Sequence, residues 1–231
     1  KDGLRDFLSG PVWLKWSGDD RFQHGYLYGP EVNDNRESLP TDFNQDGDAD
    51  ILTRSRDGKV LRIYYGPLLA MPVQPRDLWQ FVTLTAPLPL ASMAVGDLNG
   101  DGRPDIIAST SHSANPAERK IFIYYQNAPL HFTDRTGPSA VIEGLSGRVA
   151  AADVNGDGLE DLVVAEDGTN RVIVFLQKKE QPFAVSVNSA DQTLTVGRGN
   201  HHFVLADLNG DGQPDLIHTD GRSAVRVFQN I

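Results

Sequence analysis

The stretch Asp42-Phe-Asn44-Gln-Asp46-Gly47-Asp48-Ala-Asp50 places an oxygen-bearing side chain at every second position. The frame returns as Asp97-Leu-Asn99-Gly-Asp101-Gly102-Arg103-Pro-Asp105 and as Asp153-Val-Asn155-Gly-Asp157-Gly158-Leu159-Glu-Asp161. Its last copy is Asp207-Leu-Asn209-Gly-Asp211-Gly212-Gln213-Pro-Asp215. Aspartate or asparagine at positions 1, 3 and 5 makes an oxygen cage for a hard cation. Glycine at position 6 permits the sharp turn, because it takes φ > 0 without a Cβ clash. A backbone carbonyl at position 7 then faces the ion. The side chain there is free to vary, as it does through Asp48, Arg103, Leu159 and Gln213. The aspartate at position 9 closes the cage.

Carboxylates ~5 Å apart repel by roughly 3 kcal/mol per pair at an effective dielectric of ~20. A dication removes that repulsion. Calcium suits the cage better than magnesium, which keeps its waters and demands strict octahedral geometry. About four Ca²⁺ per chain would take the formal charge from −10 to −2, so the acidity is mostly internal. The frame is not that of an EF-hand, which needs an acidic residue at position 12 and a helix on each side. Position 12 here is Thr53, Ala108, Val164 and His218. Asp-x-Asn and Asp-Gly also form ordinary turns, but four complete copies point to a cation.

The elements that must hold these loops are strands. The first aspartates stand 55, 56 and 54 residues apart. A short apolar strand follows each loop: 51–52, 106–108, 162–164 and 216–217. A second strand, rich in β-branched and aromatic residues, comes next at 60–65, 120–125, 171–176 and 224–228. An outer strand is expected at 79–85, within 132–142, and at 183–187. An inner strand precedes each loop at 37–41, 92–95, 148–151 and 202–206. The first of these is the weakest, since Pro40 removes a ladder donor. Four short strands in a repeating unit of ~55 residues read as a propeller blade.

The loop followed by an apolar strand resembles the FG-GAP/VCBS repeat of integrin α-subunit propellers and many bacterial extracellular proteins. The resemblance covers roughly residues 37–231. It implies an all-β chain, a β-propeller of four-stranded blades, with Ca²⁺ in the loop between the first and second strands of each blade. The first copy departs from the others by carrying Gln45 where they carry glycine. The family is usually seven-bladed, whereas four loops are present here.

The segment Val12 to Trp16, a polar turn, then Phe22 to Tyr28 matches the second half of a blade. The expected organisation is a single domain over 1–231. It has closing strands in 1–36, blades at 37–91, 92–147 and 148–201, and an incomplete blade at 202–231. The N-terminal strands would supply the outer strand that the last blade lacks. In the other architecture the chain is a piece of a larger propeller whose remaining strands come from elsewhere.

Acidic residues outnumber basic ones, 31 to 21, which argues against nucleic acid or an anionic membrane surface as partner. No apolar run approaches the ~20 residues that span a bilayer. Lys1 to Asp6 lacks a signal-peptide h-region, so the chain reads as a processed product or one never exported. With no cysteine there is no disulfide framework, thiolate zinc site or cysteine nucleophile. The histidines fall in no metal-binding frame, and no nucleophile elbow is present. Glu118, Glu143, Glu166, Asp167 and Glu180 are placed in turns, and nothing selects a catalytic pair among them. Tyr64-Tyr65 and Tyr124-Tyr125 each turn one ring inward and one outward.

The function these observations favour is a non-catalytic, calcium-stabilised extracellular or cell-surface module for binding, adhesion or assembly. Its partners are a protein or a glycan, or further copies joined through an open strand edge. The rival is a propeller-type polysaccharide lyase or hydrolase, or a fragment of a larger propeller enzyme.

Overall fold

A computed structural model of the chain describes residues 7–9, 12–16, 22–26, 35–65, 80–132, 137–178, 190–196, 202–219 and 225–230. It divides into two compact units, Lys1–Pro87 and Leu88–Ile231. Both are built from antiparallel sheets. Among the described residues the helical element is a single 3-10 turn, Pro116–Glu118, capped by Asn115. None of their helices is long and apolar enough to cross a membrane.

In the first unit, β1 (Phe7–Ser9), β2 (Val12–Trp16) and β3 (Phe22–Tyr26) form a three-stranded sheet in that order. The sequence pattern anticipates β2 and β3 but not β1, whose Ser9 stands opposite Val12. Tyr28, the expected end of β3, lies outside the described residues. Next come β4 (Asn35–Thr41), β5 (Asp50–Ser55), β6 (Val60–Tyr65) and β7 (Gln80–Thr85), a sheet in chain order. Pro40 stands opposite Ile51 on β4. β4 is an edge strand of this sheet, where a missing donor is tolerated. Leu52, Leu61, Ile63 and Leu84 are fully buried.

The second unit begins with β8 (Leu90–Gly96), β9 (Asp105–Thr110) and β10 (Lys120–Tyr124). A hairpin of β11 (Gln126–Ala128) and β12 (His131–Phe132) follows, and then β13 (Ala140–Glu143) completes the order β13-β10-β9-β8. The outer strand expected within 132–142 is thus β13, while Phe132 belongs to the hairpin. A second four-stranded sheet comprises β14 (Gly147–Ala152), β15 (Asp161–Glu166), β16 (Arg171–Phe175) and β17 (Gln192–Thr195). The strand paired with β16 is β17, a correction to the expectation of 183–187, which lies outside the described residues. Thr193 and Thr195 are β-branched, and Leu194 sits opposite Val172 and packs into the core. The last sheet has three strands: β18 (His202–Ala206), β19 (Asp215–Thr219) and β20 (Val225–Phe228).

Alternation along the strands explains how these three sheets stack. Leu162, Val164, Ile173 and Phe175 face Ile107, Ile121 and Ile123 of the preceding sheet. Val163, Ala165, Val172 and Val174 face Leu216, with Phe203, Leu205 and Phe228 alongside. The middle sheet is therefore covered on both sides, which is why β15 and β16 read as continuous apolar runs rather than alternating ones.

Candidate metal centres

Each nine-residue repeat joins the inner strand of a sheet to the next strand: 42–50 between β4 and β5, 97–105 between β8 and β9, 153–161 between β14 and β15, and 207–215 between β18 and β19. The loop is wound around its own carboxylates. Asp97 Oδ1 accepts from the N–H of Gly100 at 2.7 Å and Asp101 at 3.1 Å, and its Oδ2 accepts from Gly102 at 2.7 Å. Asp153 repeats all three bonds at 2.8, 3.2 and 2.8 Å. Asp207 accepts from Gly210 and Gly212, and Asp42 from Asp46 and Gly47. Asn44, Asn99, Asn155 and Asn209 each accept from the N–H two residues on, at 2.9 Å. The Oδ1 atoms of Asp46, Asp101, Asp157 and Asp211 accept from Asp48, Arg103, Leu159 and Gln213 at 2.8–2.9 Å. Positions 1, 3 and 5 therefore all turn inward.

Two positions need left-handed backbone, not one. The position-6 glycines lie at φ 79 to 90°, and position 4 lies at φ 73, 76 and 80° in Gly100, Gly156 and Gly210. Gln45 adopts φ 61° at the same place, a conformation that costs a residue with a Cβ about 1–2 kcal/mol. The exchange of glycine for Gln45 is thus a backbone matter.

Position 9 acts as a bracket. Asp50, Asp105, Asp161 and Asp215 are at most 1% exposed. Their Oδ2 atoms accept from the N–H of Phe43, Leu98, Val154 and Leu208 at 2.8–3.0 Å. Oδ1 of Asp105, Asp161 and Asp215 accepts from Gln126, Gln177 and Asn230 at 2.8–2.9 Å, just beyond the second strand. Burial pushes Asp105 up to about 7 and Asp50 up to about 6, against the pull of these N–H groups. Asp161 moves in the same direction for the same reason. Asp207 moves the other way, held down by the N–H groups of Gly212 and Gly210.

Among the described residues no three His, Cys, Asp or Glu side chains gather at metal-holding distance. The donor chemistry of each loop nevertheless fits a hard dication: inward carboxylates at positions 1 and 5, an amide oxygen at 3 and a buried carboxylate at 9. A nearby cation also favours the ionised form that burial opposes at position 9.

Three of the position-7 side chains, those of Arg103, Leu159 and Gln213, are engaged rather than idle. A Cβ placed on Gly100 would meet Leu159 Cδ2 at 3.5 Å, and one on Gly156 would meet Gln213 Nε2 at 3.4 Å. Arg103 folds back onto Asp101. Further links run between successive loops. The Asp97 N–H donates to Glu160 Oε2 at 2.6 Å, and Asn230 Nδ2 donates to the Val154 carbonyl at 2.6 Å. Sequence reasoning missed Glu160, Gln126, Gln177 and Asn230. The recurrence of an amide residue just past the second strand was the available signal for the last three.

Two acids expected in turns lie on strands. Glu143 on β13 pairs with Lys120, and Glu166 ends β15 and pairs with Arg171. Tyr64 and Tyr124 are buried while Tyr65 and Tyr125 are half-buried, and Tyr125 packs against the core.

Comparison with known proteins gives the same frame. A model described as FG-GAP-like repeat matches residues 42–108, 97–164 and 153–218. Each match opens on the first aspartate of one loop and closes beyond the next. Integrin alpha-IIb of Mus musculus is 30% identical over 159 residues, which is 60% of this chain, and that of Homo sapiens is 29% identical over 161 residues. The chain spans about 15% of the length of these relatives. In fold, the chain is similar to the BBS1N structure solved in complex with ARL6DN, at a TM-score of 0.50 and 12% identity. That likeness covers 98% of this chain and 74% of the other. With its loops matched in register from Asp42 through the strand after Asp215, the chain belongs to the FG-GAP-like repeat family.

Proposed function

We propose that this chain is a calcium-stabilised β-propeller module that binds or adheres outside the cell, taking about four Ca²⁺, one per loop. The observation that carries the reading is the hydrogen-bond frame repeated in four loops, which turns the same oxygens inward each time. Bound calcium would supply positive charge to those oxygens. The chain's own part is to hold them: Asp42, Asp97, Asp153 and Asp207 through backbone N–H groups, and Asp105, Asp161 and Asp215 through the bracket that reaches just past the second strand. The extracellular setting rests on the family's resemblance to integrin α-subunit propellers and on calcium levels there that keep such loops filled.

The proposed organisation is one propeller over 1–231, with blades at 37–91, 92–147, 148–201 and 202–231. A protein partner is the leading class, with glycans and further copies of the chain behind it.

The test is elemental analysis of dialysed protein with melting in calcium and in chelator. About four calcium ions and a melting temperature lowered by chelation are expected. Protein that carries no calcium and melts alike in both conditions would overturn the reading.

A further inference from the structure

The loop 97–105 differs from the other three at one oxygen. Elsewhere the position-5 Oδ2 accepts from its own loop's asparagine: Asn44 to Asp46 at 2.8 Å, Asn155 to Asp157 at 2.9 Å and Asn209 to Asp211 at 2.7 Å. In the second loop Arg103 Nη2 takes that place on Asp101. The guanidinium is fastened at its other end as well, since Arg103 Nε donates to the Gln126 carbonyl at 2.8 Å. Gln126 is itself buried and locked by its N–H to Asp105. Both side chains of the ion pair are only 26% exposed, so water screens the pair incompletely. Of the four residues at position 7, Asp48, Arg103, Leu159 and Gln213, Arg103 alone is positively charged.

We infer that Arg103 is a built-in counter-cation that makes 97–105 the weakest calcium loop of the four and holds that loop in shape without metal. The inference rests on the calcium reading above and concerns how its sites differ. A dication ligated by Asp101 must first displace a charge-assisted, two-ended arginine clamp. It must then share the loop with the positive charge of the guanidinium. Neither obstacle exists in the third loop, where Leu159 occupies the same position. A charge-assisted bond of this kind is worth at least a tenfold difference in binding.

The test is calorimetric titration of the metal-stripped chain with calcium chloride, in the parent and in two reciprocal variants. The parent is expected to show a last step at least tenfold weaker than the others. Arg103→Leu should bring that step up to join them. Leu159→Arg, beside Gln177, whose N–H donates to Asp161 as that of Gln126 does to Asp105, should weaken a second step. Arg103→Gln replaces the leucine variant if that one aggregates. Melting in chelator gives an independent readout: loss of Arg103 should lower the melting temperature without calcium and leave it unchanged with calcium. Four equal steps in the parent, or an Arg103→Leu isotherm that superimposes on it, would overturn the role of Arg103 and leave the calcium reading standing. Absence of calcium uptake in every protein would overturn both.

Discussion

The sheet β14–β17 and the sheet β18–β20 carry the same loop in the same place, yet their strands live in different surroundings. Leu162, Val163, Val164 and Ala165 on β15 are at most 2% exposed, while Val204, Val225 and Val227 of the last sheet are half exposed or more. The loops do not register this difference. Asp153 and Asp207 accept from the same two glycine positions at 2.7–2.9 Å. Asp161 and Asp215 make the same bracket at 2.8–3.0 Å. The loop is therefore a local object, determined by nine residues and their hydrogen bonds. Burial is a collective one, supplied by the neighbouring sheet. Where the sheet β14–β17 meets the sheet β18–β20, a cavity of about 290 Å³ opens among Val163, Val172, Leu194, Leu205 and Phe228.

The contrast is most severely tested in the core. Phe175 is 1% exposed between the second unit's first two sheets, and Phe175→Ala should cost about 3–5 kcal/mol in urea unfolding. A cost under about 1 kcal/mol would mean that the sheets do not stack as described. A smaller effect separates the two brackets. Asp161→Ala leaves the Val154 and Gln177 N–H groups without their acceptor, for about 2–3 kcal/mol. Asp215→Ala should cost about half as much, because Leu208 is 54% exposed and water can replace the lost oxygen there. Equal costs would show that burial does not govern the bracket. The smallest effect belongs to the last strand. Val225→Thr and Val227→Thr should each stay within about 0.5 kcal/mol of the parent. A larger loss would reveal that something covers that face in solution.

What was legible in the sequence divides along the same line. The four loops and the strands β5, β6, β9, β10, β15, β16 and β19 follow from local signals: alternating aspartates, glycine at the turn, then β-branched runs. The outer strands were harder, because they pack on one side and carry a weak pattern. Phe183 to Val187 is the more apolar stretch, but Gln192–Thr195 pairs with β16, with Leu194 as its one core contact. β1 is three residues long and too short for periodicity to show. In the site, the inward turn of positions 1, 3 and 5 was readable. The second partner of Asp105, Asp161 and Asp215 was not, because it arrives from 15 to 21 residues away through strand register. The clamp of Arg103 is not legible in the repeat, because the side chain at position 7 varies from copy to copy and carries no pattern of its own.

The contact between Glu160 and Asp97 sets a limit on rearrangement of the chain. Gly96 lies beside it, and a Cβ there would clash with Glu160 Oε2 and Ala151 Cβ. The residue equivalent to Glu160 is Ala49 in the first loop, Pro104 in the second and Pro214 in the fourth, none of which carries a carboxylate. The third repeat is thus cut to fit the second as a key is cut for one lock. Moving a repeat to another place, or deleting one and rejoining its neighbours, would strand the Asp97 N–H or drive a side chain into the space that Gly96 leaves open. Repeats that look interchangeable as text have a fixed order as objects.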